Sequence, residues 1–385
     1  MERPYYTTMK GLLEELTKQS CDAYVAYDLS DNADMRYASG FLTSDPFVYV
    51  FSKEGVATLI ISAMEAARAR QESACNIVTR SAAGLPELLK QYPDADLATA
   101  HMIRNFSGQR LLVPASMQVG FARKLESVAD VVIDSGTIEK MRSVKTPDEI
   151  EKIRFVQKVN ENAARAAVDA IRSSEPDENG VLIFEDEPLT SEKVRDIIHY
   201  RLHPFNCDDK ETIVSCGEVS SMPHAKGTGP LHANQPIVMD VYPRCETTGY
   251  FADMTRTVSK GAPSDEVIKM YDTVKKAKEL AASMIHPGIT GAEVHNAIVE
   301  FFRQAGYESG GSSGFIHSLG HGVGLEIHEA PSLSPSGGEL KEGNVITLEP
   351  GLYYQGIGGV RLEDMGVVTR DGFDRFTCFE EQLIV

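Results

Sequence analysis

The sequence predicts an α+β protein of two domains, an α/β domain over residues 1–137 and a larger domain over residues 138–385 with an internal repeat. Three observations lead there. A chain of 385 residues is too long for one ordinary hydrophobic core. Its first third alternates short apolar runs with stretches of helical composition, the pattern of an α/β layer structure. The remainder shows one order of elements twice, capped helices followed by strands that carry acids.

In the first domain, Ala23-Tyr-Val-Ala-Tyr27, Phe47-Val-Tyr-Val-Phe51, Leu111-Leu-Val-Pro114 and Val131-Val-Ile133 read as strands, and residues 64–72 read as helix. His101 is the only histidine there, and a lone histidine is more often structural than functional. The boundary falls between Asp134 and Val144. A strong helix start follows, because Thr146-Pro-Asp-Glu149 is a capping box with proline at the first helical position. Ile150, Ile153, Val156, Ala163, Ala167 and Ile171 then recur at helical spacing.

A second long helix begins near Ser264, with Val267, Tyr271, Val274, Ala281 and Met284 on one face, and His286-Pro-Gly288 ends it. Each long helix precedes another capped helix, one from Thr190 and one from Thr290, where Thr290-Gly-Ala-Glu293 repeats the capping box. The helix starts Thr146 and Ser264 lie 118 residues apart, and Thr190 and Thr290 lie 100 apart. Asp240 and Glu349 are 109 apart, and Asp253 and Glu363 are 110 apart. This matched order points to a duplication that residue identity alone does not prove.

The acids carry the chemistry. Pro236-Ile-Val-Met-Asp-Val-Tyr242 reads as a strand and Phe251-Ala-Asp-Met-Thr-Arg-Thr257 as its return, with Asp253, Thr255 and Thr257 on one face. Aspartates on facing strands repel unless something positive lies between them. Asn344-Val-Ile-Thr-Leu-Glu349 and Gly359-Val-Arg-Leu-Glu-Asp-Met365 read as the second such hairpin, with Arg361 and Glu363 on one face. Ser318-Leu-Gly-His-Gly-Val-Gly-Leu-Glu-Ile-His-Glu329 sets glycines around His321, so that backbone or a ligand can come close. His321 and His328 are seven apart; the glycines argue against a helix, so a bend decides where His328 points. Four carboxylates carry a charge of about −4 at neutral pH, which two divalent cations would balance. Four acids and one imidazole make a hard, oxygen-rich set suited to Mn²⁺, Co²⁺, Fe²⁺ or Zn²⁺. Two ions roughly 3.5–4 Å apart can hold a hydroxide and clamp a tetrahedral intermediate. Any one acid alone would pass for a surface residue; the five together would not.

Composition narrows the partners. Lys plus Arg is 38 against 56 Asp plus Glu, a net charge of −18. Nucleic acid is disfavoured, since binding it needs a positive face. The six cysteines form no CxxC pair and read as reduced thiols in a cytoplasmic protein. Met1-Glu-Arg-Pro-Tyr-Tyr6 has no signal-peptide pattern, and no apolar run approaches ~18 residues, so no membrane span is expected.

His321-Gly-Val-Gly-Leu-Glu-Ile-His328, Ile346-Thr-Leu-Glu-Pro-Gly-Leu-Tyr353 and Val360-Arg-Leu-Glu-Asp364 resemble the pita-bread metallopeptidases, most closely the Xaa-Pro dipeptidases (prolidases) and Xaa-Pro aminopeptidases. The resemblance runs from about residue 140 to the end. It extends more weakly to Met35-Arg-Tyr-Ala-Ser-Gly-Phe41, which is similar to part of a creatinase-type N-terminal domain. It implies a pita-bread catalytic domain with pseudo-two-fold duplication, and metal ligands at Asp240, Asp253, His321, Glu349 and Glu363. Asp253 and Glu363 would bridge both ions and Glu349 would be the general base. It makes His224, in Ser221-Met-Pro-His-Ala225, and His328 substrate or catalytic histidines, and adds Arg361 and His317 as further active-site positions. An imidazolium or guanidinium aimed at a developing oxyanion suits that work. The implied partner is a proline-containing dipeptide or longer peptide, and the implied assembly a homodimer.

The chain departs from the pattern in a loop two residues longer between Asp240 and Asp253, in Tyr242 where many members keep glycine, and in having no tryptophan. A creatinase-like or osmolyte-degrading hydrolase or lyase is the alternative within the fold, and metal ligands alone do not name the substrate. Members that serve as binding modules have lost ligands, and this chain keeps all five. Methionine aminopeptidases normally lack the first domain.

Overall fold

The computed structural model describes residues 9–385, so the expectation about Met1–Tyr6 lies outside it. The chain divides into two compact units, the first ending at Arg142 and the second spanning Ser143–Val385.

The first unit is a six-stranded sheet of β1 (Ala23–Asp28), β2 (Phe47–Ser52), β3 (Ala57–Ile61), β4 (Asn76–Thr79), β5 (Arg110–Pro114) and β6 (Asp130–Asp134), in the order β4-β3-β2-β1-β5-β6. The four strands expected from the apolar runs are present, and the helix expected at 64–72 is Ala66–Glu72. Strands β3 and β4 were not foreseen. Alternation covers both faces of the sheet: Tyr24, Phe47, Tyr49 and Leu59 pack on one side, and Val25, Val48, Val50 and Ile60 on the other. His101 stacks on Tyr92, with ring centroids 4.0 Å apart, which is a structural role.

The second unit opens with the helix Pro147–Ser173. Its capping box is formed: the Glu149 N–H donates to Thr146 Oγ1 and the Thr146 N–H donates to Glu149 Oε2 at 2.8 Å. Ile153, Val156, Ala163, Ala167 and Ile171 are buried along one face, while Ile150 is only half-buried. Each large aliphatic side chain buried this way contributes ~1.5–3 kcal/mol. The helix Ser191–Leu202 is capped by Thr190. Strands β7 (Ile213–Cys216), β8 (Ile237–Val241) and β9 (Met254–Val258) then form an antiparallel sheet with β8 in the middle.

The same order recurs. Helices Asp265–Met284 and Gly291–Gln304 are capped by Ser264 and Thr290, the latter with a second complete capping box. They cover β10 (Gly320–Gly322), β11 (Glu329–Leu333), β12 (Val345–Leu348), β13 (Gly351–Tyr354), β14 (Gly358–Arg361), β15 (Asp364–Thr369) and β16 (Gly372–Arg375). Val274, Ile298 and Phe302 share a core with Ile346, Leu348, Leu352 and Leu362.

Two strand expectations need correction. Residues 359–365 are not one strand paired with 344–349. The chain breaks at Leu362–Glu363: β14 pairs with β13, and β15 pairs with β12. On the other hairpin, the return strand begins at Met254, so Asp253 stands just before it rather than inside it. In both places a ligand-type acid sits where regular pairing stops, which frees it to turn from the pleat.

Candidate metal centre

Asp240 lies in β8, flanked in register by Ile213 and Thr255. The Asp253 N–H donates to Met365 Sδ at 3.4 Å, which ties the start of β9 to the other half of the domain. Glu349 follows β12, and its N–H donates to the Leu319 carbonyl at 2.8 Å. Glu363 occupies the break between β14 and β15, and its N–H donates to the Thr255 carbonyl at 3.0 Å. These cross-links bring together acids from both halves.

His321 projects from β10. Its backbone N–H donates to Thr347 Oγ1 at 3.1 Å, and Nδ1 lies 3.1 Å from the Gly322 carbonyl. With a cation bound, a proton on Nδ1 would satisfy that carbonyl and leave the Nε2 lone pair free to ligate; without one, Nε2 carries a proton toward Glu349. Nε2 stands 3.3 Å from Glu349 Oε1 and 3.6 Å from Asp253 Oδ2. The neighbouring glycines are sterically required, since a Cβ on Gly320 would sit 2.1 Å from the Thr347 carbonyl oxygen and one on Gly322 would sit 2.4 Å from that of Ala330.

The five expected ligand residues therefore converge. Ligand atoms of Asp253, His321 and Glu363 all lie within 4.8 Å of one another. Thr255 Oγ1 is 2.8 Å from both Asp240 Oδ1 and Glu363 Oε2. One hydroxyl proton serves only one of them at a time. Arg361 supplies part of the positive charge that the facing acids demand. Nη2 donates to Asp240 Oδ2 at 2.7 Å, Nε to Thr255 Oγ1 at 3.0 Å, and Nη1 to the Tyr353 hydroxyl at 2.8 Å.

One guanidinium does not neutralise four carboxylates. Asp253 Oδ1 and Glu363 Oε1 are buried without a hydrogen-bond partner. Burial and the surrounding acids push both groups well above the usual carboxylate range. Burial also works to raise Glu349, but the hydrogen bond from His321 and the charges of His321, His317 and Arg361 prevail and bring it to about 2. A buried, oxygen-rich set with unbonded carboxylate oxygens fits hard divalent cations. The contrast within the same unit is instructive: Glu279, Asp364 and Glu381 also cluster, but Lys278, Arg256 and Arg375 pair with Asp364 and leave no charge for a metal to balance.

The acids open into a cavity of about 540 Å³ whose wall includes His224, His317, His328 and Arg361. The bend after His321 brings the His328 ring to 4.3 Å from its own, centroid to centroid. Burial, reinforced by the charge on His321, holds His328 below the ordinary histidine range, and burial does the same to His317. His317 Nε2 lies 3.1 Å from the Tyr353 hydroxyl. Each site residue expected from the sequence thus lies in or against one cavity.

Several contributors were not foreseen. Tyr353 joins Arg361 to His317, and Thr347 fixes the His321 backbone. Lys145 Nζ and Glu329 Oε1 form a buried ion pair at 2.6 Å that anchors the end of the histidine-bearing segment. Tyr353 was within a motif already singled out, whereas the Lys145–Glu329 pair bridges 184 positions and left no local signal.

Comparison with known proteins identifies the family. The profile of the creatinase/prolidase N-terminal domain matches residues 9–144, and that of metallopeptidase family M24 matches residues 151–370. An Xaa-Pro dipeptidase of Lactobacillus helveticus is 34% identical over 254 residues, which cover 65% of this chain and 64% of that protein. An Xaa-Pro dipeptidase of Pyrococcus horikoshii is 29% identical over 98% of both chains. The crystal structure of the prolidase from Pyrococcus horikoshii superposes with a TM-score of 0.83 at 27% identity, covering 98% of this chain and 100% of that one. The chain belongs to metallopeptidase family M24, with a creatinase/prolidase-type domain ahead of its pita-bread domain.

Proposed function

We propose that this protein is an Xaa-Pro dipeptidase that works with two divalent cations, Mn²⁺, Co²⁺, Zn²⁺ or Fe²⁺, held by Asp240, Asp253, His321, Glu349 and Glu363. The observation that carries the reading is the pair of buried, unbonded carboxylate oxygens on Asp253 and Glu363, the two acids expected to bridge. When bound, the cations supply Lewis acidity and an acidified water for attack on the amide carbonyl. Glu349 stands at the cavity wall, where its carboxylate would receive a proton from the attacking water and pass it to the departing proline nitrogen. His328 and His224 face the cavity as N–H donors to the carbonyl oxygen as its charge develops. Arg361, already braced by Tyr353, holds Asp240 in place.

The same cavity favours a short, doubly charged substrate. Its wall includes Ile213, Pro223 and Ile327, an apolar surface for a pyrrolidine ring that carries no N–H. It also includes Lys226 and Glu211, paired at 2.7 Å and both substantially exposed, which can turn to the two charged ends of a dipeptide. The test is the metal-reconstituted protein on Xaa-Pro dipeptides and on longer Xaa-Pro peptides, with and without chelator. Chelator-sensitive cleavage of dipeptides alone is expected. Cleavage of longer peptides would make it an aminopeptidase, and no cleavage under any divalent metal would overturn the reading.

A homodimer and a cytoplasmic location go with this function. The family resemblance supports the first, to be checked by sedimentation equilibrium. Six free cysteines support the second. No helix among the described residues is long and apolar enough to cross a membrane.

A further inference from the structure

Two of those cysteines are placed to react with each other. Cys207–Asp208 and Arg244–Cys245 form a short antiparallel ladder in which Cys207 faces Cys245 directly. The Glu246 N–H donates to the Asn206 carbonyl at 2.8 Å, so the cysteines occupy a non-hydrogen-bonded pair. Such pairs hold their Cα atoms ~4.5 Å apart, inside the ~4.4–6.8 Å span of disulfides. Both side chains are buried, but Asn206, Asp208, Glu246 and Thr247 beside them are exposed. The ladder therefore runs at the surface with both sulfurs on its inner face, where an oxidant has to be as small as hydrogen peroxide to reach them.

The two sulfurs are unlike. Cys207 Sγ lies 3.6 Å from the Phe205 carbonyl, to which its S–H donates; the facing Cys207 side chain nevertheless outweighs burial at Cys245, and the Thr248 hydroxyl with the backbone N–H groups of Thr248 and Thr247 adds to it and brings Cys245 to about 5. The same contact, with burial, pushes Cys207 far up. A thiolate facing a protonated thiol is the arrangement of an attacking and a resolving cysteine.

We propose that Cys207 and Cys245 are a peroxide-reactive dithiol that closes to a disulfide across the connection between Asp240 and Asp253. The Cys245 thiolate attacks one oxygen of hydrogen peroxide, an S–O bond forms, the O–O bond breaks, and hydroxide leaves. The Cys207 sulfur then attacks the sulfenic sulfur, its proton leaves with the departing hydroxide as water, and the S–S bond forms. The first hydroxide takes up the proton that Cys245 released on ionising, so two thiols lose two electrons and one peroxide becomes two waters. The consequence lies in what this ladder joins. The Cys245 N–H donates to the Tyr250 carbonyl at 2.9 Å, and the Phe251 N–H donates to the Gly324 carbonyl at 2.8 Å, three residues past His321. On the other strand, Asp209 Oδ2 accepts the Tyr242 N–H at 2.8 Å, two residues past Asp240. The disulfide would pin the loop that connects two ligand-bearing strands.

The test treats the full-length protein with hydrogen peroxide and maps thiols by mass spectrometry under non-reducing conditions. A Cys207–Cys245 cross-linked peptide should appear before the exposed Cys378 is modified, with Cys245 reacting about ten-fold faster than Cys378. Cys207→Ser should stop the reaction at a dimedone-trappable sulfenic acid on Cys245, and Cys378→Ser should leave cross-linking unchanged. Oxidation of Cys378 while Cys207 and Cys245 stay reduced would overturn the proposal. That result is read in the unsubstituted protein and does not depend on how the variants fold.

Discussion

Replacing Asp253 with asparagine should stabilise the chelated protein and remove its response to metal. Asp253 Oδ1 and Glu363 Oε1 are buried without partners, and both carboxyls are held above their ordinary range by burial and by neighbouring acids. A carboxyl whose folded value is raised favours the folded state while it is protonated, and that contribution is lost as the pH rises through the folded value. At neutral pH, forcing the cluster to ionise therefore costs stability. Asparagine keeps the shape, drops the charge and brings two N–H donors toward Glu363. Relieving one unsatisfied buried group returns ~1–3 kcal/mol. At about 2–4 °C per kcal/mol for a domain of this size, Asp253→Asn should melt roughly 2–12 °C above wild type in EDTA. Wild type should behave in the opposite way: Mn²⁺ at one hundred times its dissociation constant adds ~2.7 kcal/mol, or about 5–10 °C, and the variant should gain little. Scanning calorimetry at neutral pH in EDTA and along a Mn²⁺ titration measures both. A variant that melts below wild type in EDTA, or that rises with Mn²⁺ as wild type does, would refute the reasoning that this carboxylate is kept for a cation.

Three further outcomes are expected. Glu349→Ala should lower kcat by at least ~10²–10⁴, read with saturating metal and a Xaa-Pro dipeptide; full activity would remove Glu349 from proton transfer. Lys145→Met should cost ~3–5 kcal/mol because it breaks a buried ion pair with Glu329, and adding Glu329→Gln should recover part of that loss in denaturant titrations. Asp364 is held below its ordinary value, because Arg256 and Lys278 outweigh its burial. Its contribution is complete above the unfolded value of ~3.9 and is lost as the pH falls through the lower folded value. Asp364→Asn should therefore flatten the acid limb of the stability curve and lower the melting temperature at neutral pH, and an unchanged limb would show that its cations do not depend on it.

What the sequence made legible was local. Both capping boxes form at the expected residues, because Thr146 and Glu149, like Thr290 and Glu293, need only each other. The apolar runs at 23–27 and 47–51 became central strands because their alternation matches the pleat. The site acids were legible because a carboxylate in an apolar strand has no cheap structural explanation. The Lys145–Glu329 pair and the Arg361–Tyr353–His317 chain were not legible, since they join residues that only the finished fold brings together.

The failed strand expectation at 359–365 explains how the site is assembled. A continuous strand would have kept Arg361 and Glu363 in step on one face of a single pairing. Instead β14 commits Arg361 to the hairpin with β13, where Tyr353 braces it, and β15 commits Asp364 to β12. Glu363, in the gap, owes its backbone N–H to Thr255 of the other half and its side chain to the same residue's hydroxyl. The break thus lets two consecutive acids do opposite jobs. Asp364 turns to Arg256 and Lys278 and is neutralised by protein, while Glu363 turns to Asp253 and His321 and is left short of positive charge. Restoring regular pairing there would give a more orderly strand and would cost the centre one of its buried, unbonded carboxylates.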